Sequence, residues 1–285
     1  MKRVLIAGAN GYLGRYLVKV FGEHGYPVRA LARDPKKLDD LRNHVDEMFE
    51  GEVTKPETLK GICDNIDIVI STIGITRQKD NLTYMDVDYQ GNKNLLDLAV
   101  ENKVTKFIYI SVLNAHLMKE LKIIQAKERF VDDLKESGLA YAIIRPTGFF
   151  SDMLEFFEMA KKGRIYLFGS GENKINPIHG NDLAEVCVNA IDKNEKEINV
   201  GGPTIYSYRE VAKLAFRVLN KDAKISTLPI WVKNLTLFLL KTFTSSKTYG
   251  PIEFLMTALT TDGIGTSYGK EELKDFFEQN ITGKG

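Results

Sequence analysis

Three glycines near the start of the chain, each three residues after the last, constrain the fold more than any other feature of the sequence. Gly8, Gly11 and Gly14 follow a short apolar run, Val4–Ala7. Apolar residues then recur at the spacing of one helical face, at Leu13, Leu17, Val20 and Phe21. The pattern predicts a strand, a tight turn and an amphipathic helix in direct succession.

A turn of this kind suits the binding of phosphate. Glycine tolerates a positive φ and has no Cβ to obstruct a ligand, while the free N–H groups and the dipole of the following helix attract an anion. A tight strand–helix turn without a ligand is the alternative. We expect the turn to hold the pyrophosphate of a dinucleotide through Gly8, Asn10, Gly11, Tyr12, Leu13 and Gly14.

Short apolar segments alternate with helical patterns through the first 150 residues. This alternation of strands and helices is typical of a parallel sheet covered on both faces. The predicted fold class is therefore α/β, a Rossmann-type doubly wound parallel sheet. The predicted strands are residues 3–7, 28–31, 66–72, 107–111 and 140–144.

The rhythm of the sequence changes near residue 150. Residues 1–150 are predicted to form the dinucleotide-binding domain, and residues 151–285 a smaller C-terminal substrate lobe that partly packs back on the sheet. Within the lobe, Asp182 with Glu185 and Ser207 with Glu210 each fit a capping box at the start of a helix.

The composition excludes several classes of protein. A formal net charge of +1 without a basic stripe argues against nucleic-acid binding. Only two cysteines occur, Cys63 and Cys187, so we expect neither a disulfide nor a metal site. The first apolar run is too short for a signal peptide, and no run of 18 apolar residues occurs, which together predict a cytoplasmic protein.

Further motifs extend over nearly the whole chain. With the glycine spacing, they resemble the short-chain dehydrogenase/reductase superfamily in its atypical, NmrA-like, NAD(P)H-binding branch. Residues 145–150 are also similar to divinyl chlorophyllide 8-vinyl reductases. The matching segments are residues 28–35, 73–74, 87–95, 109–111, 127, 145–150, 177–184 and 268–269. The resemblance implies further contacts with a nicotinamide dinucleotide, at Glu52, Val53, Thr72, Ile73, Gly74, Lys127 and Pro146.

The residues after the second predicted strand favour NADP over NAD. NAD usually needs a carboxylate at this strand end, to hold the ribose hydroxyls. Ala32 takes that place, and the guanidinium of Arg33 would pair with a 2′-phosphate. Asp34 is the rival ribose ligand, although the sequence Asp34-Pro35 also fits the start of a helix. Lys36, Lys37 and Arg15 would add positive charge nearby.

The reactive end departs from the superfamily pattern. Most members use Tyr-x-x-x-Lys as an acid/base pair, with a serine one strand earlier. Here Lys127 is present, but Ile123 stands at the tyrosine position. The resemblance implies Lys127 and Ser111 as catalytic residues, with Lys127 orienting the ribose or donating a proton in a conjugate reduction. A surface lysine without a role is the alternative.

These observations predict an NADPH-dependent reductase acting on a hydrophobic or conjugated small molecule. A non-catalytic NAD(P)-binding regulator or structural subunit is the alternative, because the tyrosine is missing. Residues 228–243 contain the single tryptophan, Trp231. We expect a buried or subunit-contact helix there, which leaves an oligomer open; a lid over the substrate or an interfacial helix at a membrane is the alternative.

Overall fold

A parallel sheet of eight strands, flanked by helices, forms the framework of the chain. The computed structural model describes residues 1–75 and 82–281. Within these residues the strands, in chain order, are β1 (Val4–Ala7), β2 (Val28–Ala32), β3 (Glu47–Glu50), β4 (Ile68–Ser71), β5 (Lys106–Ile110), β6 (Ala140–Pro146), β7 (Ile165–Phe168), β8 (Lys174–Ile175), β9 (Glu197–Gly201), β10 (Tyr206–Ser207), β11 (Ile225–Leu228) and β12 (Thr266–Ser267).

The connecting helices are mostly of the α type. In the described residues they are α1 (Tyr12–Glu23), α2 (Asn92–Glu101), α3 (Lys122–Glu136), α4 (Phe150–Lys161), α5 (Gly180–Ala190), α6 (Tyr208–Val218), α7 (Ile230–Phe243), α8 (Ser246–Ala258) and α9 (Leu273–Gln279). A π-helix, Met85–Gly91, leads directly into α2. Tighter 3₁₀ helices cover Pro35–His44, Pro56–Leu59 and Ala115–Met118.

The strand order explains where a ligand would bind. The sheet runs β12-β9-β6-β5-β4-β1-β2-β3, so β1 lies between β2 and β4. Ala7 at the end of β1 pairs with Leu31 of β2 and Ser71 of β4. The order reverses between β1 and β4, and ligands of such sheets bind at the carboxyl ends of the strands beside this reversal. The predicted Rossmann-type α/β class is confirmed.

The inner strands are buried along their whole length. Every residue of β1, β2, β4 and β5 is buried. On one side of the sheet, Tyr109 and Phe107 of β5 pack against Phe130 of α3, with ring centroids 4.6 and 5.8 Å apart. Burial on both faces is the reason why these strands are continuous apolar runs in the sequence.

The chain divides into two compact units. Met1–Arg145 with Leu183–Ile198 form one unit, and Pro146–Asp182 with Asn199–Gly285 form the other. The second unit contains a parallel pair, β7 with β11, and an antiparallel pair, β8 with β10. The sequence-based boundary near residue 150 stays a prediction, and the last residues of the predicted lobe, 282–285, lie outside the described residues.

Two capping predictions in the second unit have different outcomes. Ser207 is confirmed as the N-cap of α6, and its amide donates to the Glu210 carboxylate over 2.7 Å. The prediction for Asp182 is wrong, because α5 begins two residues earlier, at Gly180. Its carboxylate instead accepts the backbone N–H groups of residues 270 and 271, at 3.1 and 3.0 Å.

Candidate functional site

The glycine turn is built by the protein's own close packing. Gly8 has φ +85°, and a Cβ there would lie 2.6 Å from Thr72 Oγ1. A Cβ on Gly14 would lie 2.0 Å from the carbonyl oxygen of Gly8, so α1 can approach β1 only without it. Gly11 is different: it is exposed, and among the described residues its Cβ would meet only that same oxygen, at 3.3 Å. Gly8 and Gly14 shape the turn, while Gly11 leaves its outer surface open.

The turn fits a pyrophosphate at the N-terminus of α1. Gly11 is the N-cap residue, and its N–H donates to Gly8 over 2.9 Å. Asn10 is exposed beside it, whereas Leu13 is only 4% exposed. Leu13 would therefore contribute its backbone N–H rather than its side chain. With no Cβ on Gly11, the positive end of the helix is open to an anion.

A cation, Arg33, directly follows the end of β2. Arg33 is exposed and forms no hydrogen bond or ion pair with any residue that the structure describes. Arg15, by contrast, is paired with Asp40 and also donates to the Lys37 carbonyl over 2.8 Å. Asp34 accepts the N–H of Lys36 at 3.2 Å as the N-cap of the helix Pro35–His44, which confirms its structural role.

Glu52 and Val53 lie shortly after β3, the edge strand that neighbours β2. The carboxylate of Glu52 lies 2.8 Å from the Lys55 ammonium, and this contact lowers the pKa of Glu52. Val53 is 8% exposed, and its Cγ2 would lie 2.8 Å from a Cβ on Gly91. Val53 thus belongs to the core around the π-helix, and Glu52 is already engaged with a lysine.

The loop after β4 is fixed by buried polar groups. Asn92 is fully buried, and its side-chain amide donates to the Ile73 carbonyl at 3.3 Å and to the Asp88 carbonyl at 2.8 Å. Thr72 Oγ1 donates to the Ala7 carbonyl over 3.2 Å. These contacts hold residues 72–74 beside the glycine turn. Sequence reasoning missed Asn92, although it lies in the matching segment 87–95.

Lys127 is a buried cation at this same edge. Its side chain is 11% exposed, and its Nζ lies 3.0 Å from Oδ1 of Asp88, whose side chain is fully buried. The contact is an ion pair rather than an aligned hydrogen bond. A Cβ on Gly74 would lie 2.6 Å from this carboxylate oxygen and 2.8 Å from the ammonium. The structure therefore brings Lys127 and Gly74 together, and the surface-lysine alternative is wrong.

Tyr109 completes this buried cluster. Its side chain is fully buried, and Lys127 Nζ lies 5.6 Å from the centre of its ring. Its hydroxyl finds no partner in hydrogen-bond geometry within residues 1–75 and 82–281. Burial raises the pKa of Tyr109 to about 12, so the phenol is neutral. The matching segment 109–111 contains it, but nothing in the sequence pointed to its side chain.

Burial and charge oppose each other in the cluster. Burial raises the pKa of Asp88, while the Lys127 ammonium and the N–H of Ile75 work against that rise. Burial alone would lower the pKa of Lys127, but the Asp88 carboxylate 3.0 Å away outweighs it and raises that pKa. Lys127 therefore holds its proton firmly. An ammonium of this kind can donate hydrogen bonds and stabilise negative charge.

Comparison with known proteins agrees with this geometry. A family model described as NAD(P)H-binding matches residues 8–194. The chain belongs to this NAD(P)H-binding family.

Two named relatives show how varied such proteins are. Photosystem II assembly factor Ycf39 of Synechocystis sp. (strain ATCC 27184 / PCC 6803 / Kazusa) is 28% identical over 270 residues, covering 91% of this chain and 82% of the relative. Divinyl chlorophyllide a 8-vinyl-reductase of Cucumis sativus, a chloroplastic protein, is 28% identical over 320 residues, covering 98% and 76%. The resemblance to 8-vinyl reductases is thereby confirmed.

A solved structure shows the same fold over the full length. The NADPH-dependent quinone oxidoreductase QOR2 of Escherichia coli, in complex with NADPH, has a TM-score of 0.76 at 15% identity. The match covers 97% of this chain and 99% of that protein. At this level of identity the match shows that the two proteins share a fold.

Two other positions of the expected reactive end are held by packing or by hydrogen bonds to charged side chains. Ile123 is 3% exposed within α3. Ser111 donates to Glu128 over 2.8 Å and accepts a hydrogen bond from Arg145 at 3.1 Å. Arg145 also holds Glu128 through two further contacts of 2.7 and 2.8 Å. Ser111 is thus engaged in an ion network, and its catalytic role stays a prediction. Pro146 is buried at the end of β6.

Two other kinds of site are missing from the part of the chain that the structure describes. No group of three or more His, Cys, Asp or Glu side chains there is arranged to hold a metal ion. No helix of the described chain combines the length and the apolar character that crossing a bilayer demands.

Proposed function

We propose that this chain is an NADPH-dependent reductase of a hydrophobic or conjugated small molecule. One observation carries the proposal: Lys127 is held by Asp88 against Gly74, at the carboxyl edge of the sheet. A buried ion pair contributes little net stability compared with an apolar pair of the same size. Its position beside the nucleotide-binding turn therefore supports a functional role.

The chain's own residues divide the work of binding. Gly8–Gly14 and the N-terminus of α1 would hold the pyrophosphate, and residues 72–74 would line the path to the nicotinamide. When bound, the cofactor supplies a hydride to one carbon of a double bond, and a proton completes the other carbon. Lys127 would orient the nicotinamide ribose through its ammonium, which the Asp88 carboxylate keeps in one place.

The preference for NADP rests on Arg33. Its guanidinium follows β2 and has no ion-pair partner in the described part of the chain, so it is available to a 2′-phosphate. Asp34, the rival ribose ligand, is used as a helix cap. The end of β2 thus offers a guanidinium to a 2′-phosphate and no carboxylate to the ribose hydroxyls. This combination favours NADP.

A conjugated substrate is supported by Ile123. An alcohol–carbonyl reaction of the usual kind needs a tyrosine hydroxyl there, and the buried isoleucine supplies none. The name of one relative, a vinyl reductase, describes the reduction of a carbon–carbon double bond, and this relative matches 98% of the chain. We therefore favour activated C=C bonds over ketones.

A binding role without turnover is the second candidate. The relative named as a photosystem II assembly factor favours it, and so does the engagement of Ser111 with Arg145 and Glu128. In that case the chain would bind NADPH and act through a partner protein.

NADPH oxidation against a panel of enones, quinones and vinyl-bearing tetrapyrroles separates the two. We expect at least one class to be reduced, and Lys127→Met to lower kcat while NADPH affinity changes less. Lys122→Met, at the exposed start of the same helix, is the matched control. If NADPH binds but no substrate is reduced, the reductase proposal is wrong and the binding role stands.

A further inference from the structure

Helix α7 presents a large apolar surface to the solvent. None of its 14 residues is buried. Trp231 is 64% exposed, Phe238 65% and Phe243 78%, with Leu235 and Leu239 also exposed beside them. These five residues form what we call the α7 face. A surface helix normally turns its apolar side inward, so a face of this kind indicates an external partner.

The exposed residues form one stripe along the helix. Trp231, Leu235 and Phe238 are spaced by four and three residues, which places them on one side. Contacts to the rest of the lobe come from elsewhere on the helix. Lys233 donates to Thr260 over 2.9 Å, and Lys241 pairs with the buried carboxylate of Glu253. The lysines thus fix α7 to its lobe and leave the α7 face uncovered by the described residues.

The segment that carries the α7 face is rich in lysine, and Glu253 at its end is paired with Lys241. Residues 223–252 contain four lysines, at positions 224, 233, 241 and 247, and no aspartate or glutamate. Lys224 is exposed, and Lys241 is half exposed. Two copies of the chain meeting through this face would bring like charges together. A surface of anionic headgroups over an apolar layer complements both the lysines and the stripe.

We propose that the α7 face docks on an anionic lipid membrane. Fourteen helical residues extend for about 21 Å, less than the roughly 30 Å of a hydrocarbon core, so α7 lies along the surface. The aromatic side chains enter the boundary between headgroups and acyl chains, where tryptophan is preferred. The exposed Lys224 and the half-exposed Lys241 contact the headgroups, while Lys233 stays bonded to the lobe. This inference is independent of the proposed reductase activity, since it involves no residue of the nucleotide site.

The single tryptophan reports on this docking directly. Trp231 lies on the α7 face, so its fluorescence is the whole tryptophan signal of the protein. The full chain is titrated with vesicles of phosphatidylcholine alone and of phosphatidylcholine with phosphatidylglycerol. We expect a blue shift of emission and co-sedimentation with the anionic vesicles, weakened by added salt. An unshifted spectrum without co-sedimentation on the anionic vesicles would overturn the proposal.

Two variants of matched exposure localise the contact. Phe238→Glu places a charge on the α7 face, and we expect it to lower vesicle affinity on the order of tenfold or more, because an apolar contact is replaced by a charge. Leu117→Glu changes a side chain that is 60% exposed in the other unit, and we expect no change. Circular dichroism verifies that both variants fold.

Sedimentation equilibrium without lipid tests the competing occupant. We expect wild type and Phe238→Glu to show the same molecular mass. A wild-type oligomer that Phe238→Glu dissociates, in a protein that ignores anionic vesicles, would assign the α7 face to a second copy. Equal vesicle binding by wild type and Phe238→Glu would also overturn the proposal.

Discussion

The ammonium of Lys127 lies 3.0 Å from the carboxylate of Asp88, and a Cβ on Gly74 would meet both groups. The two residues come from α3 and from the π-helix, and Gly74 comes from the loop after β4. π-Helical turns are frequent at functional sites. Here the turn places a buried carboxylate where it holds a lysine at the carboxyl edge of the sheet.

Replacing Asp88 by asparagine should destabilise the protein strongly. Asp88→Asn keeps the shape of the side chain but leaves a buried ammonium without its counter-charge. Breaking a buried ion pair in this way costs about 3–5 kcal/mol. Urea denaturation measures the loss in the free energy of unfolding.

The double variant Asp88→Asn/Lys127→Met is the control for that experiment. It removes both charges, so we expect it to be more stable than the sum of the two single losses predicts. A single loss below about 1 kcal/mol for Asp88→Asn, within the range of ordinary surface changes, would contradict the ion pair.

The glycine turn should respond differently at its two later positions. Gly11 is exposed and has φ −73°, which valine can adopt. We therefore expect the Gly11→Val variant to fold and its dinucleotide affinity to fall. Gly14→Ala forces a Cβ against the Gly8 carbonyl, so we expect lost stability instead. Thermal melting and NADPH titration separate the two effects. Unchanged NADPH affinity in a folded Gly11→Val variant would show that the turn does not hold the pyrophosphate.

Much of the sheet was predictable because its strands are buried on both faces. β1, β2, β4 and β5 are short apolar runs, and the predicted bounds differ by at most two residues at each end. β3 was missed, since Glu47–Glu50 is a partly exposed edge strand with glutamate at both ends. Asp182 fitted a capping pattern, but its carboxylate binds backbone from residues 270–271, which no local pattern reveals.

The candidate site was predictable only where its chemistry is local. Gly8–Gly14 forms one continuous turn, and its spacing is itself the signal. Asp88, Tyr109 and Lys127 lie on three separate elements, and the fold brings them together. The same limit explains Ser111, whose Arg145 partner lies on the neighbouring strand.

Arg33→Ala tests the choice of cofactor. Only NADPH carries the 2′-phosphate, so we expect its affinity to fall by about ten- to a hundredfold, which corresponds to ~1.5–3 kcal/mol. NADH affinity should change much less. Titration of both cofactors measures this, with Lys60→Ala, an exposed lysine outside the expected cofactor contacts, as control. Equal losses for the two cofactors would mean that Arg33 does not contact the 2′-phosphate.

The Arg145 network should make stability depend on acid pH. The hydrogen bond from Lys135 and the contact with Arg145 lower the pKa of Glu197 below its usual 4.5. A carboxyl with a lowered folded pKa stabilises the protein above its unfolded pKa, and this stabilisation is lost as pH falls through the folded value.

Glu197→Gln should therefore flatten the decline of stability below about pH 4.5. Glu195→Gln removes an exposed carboxylate on the preceding turn that has no ion pair in the described chain, and it should leave the decline in place. Urea midpoints between pH 3 and 7, on the acid side of neutrality, provide the measurement. Identical acid profiles for wild type and Glu197→Gln would contradict the assignment.

Restoring a tyrosine at position 123 should not improve the reaction. Ile123 is 3% exposed within α3, so a larger ring must displace packed neighbours at a cost of about 1–3 kcal/mol. Ile123→Phe introduces the same ring without the hydroxyl, which makes it the matched control. We expect both variants to lose stability similarly and neither to exceed wild type in single-turnover hydride transfer, because proton delivery in the native reaction does not use this position. A faster transfer in Ile123→Tyr than in both wild type and Ile123→Phe would show that the hydroxyl reaches the reacting atoms, and carbonyl chemistry would then be the better assignment.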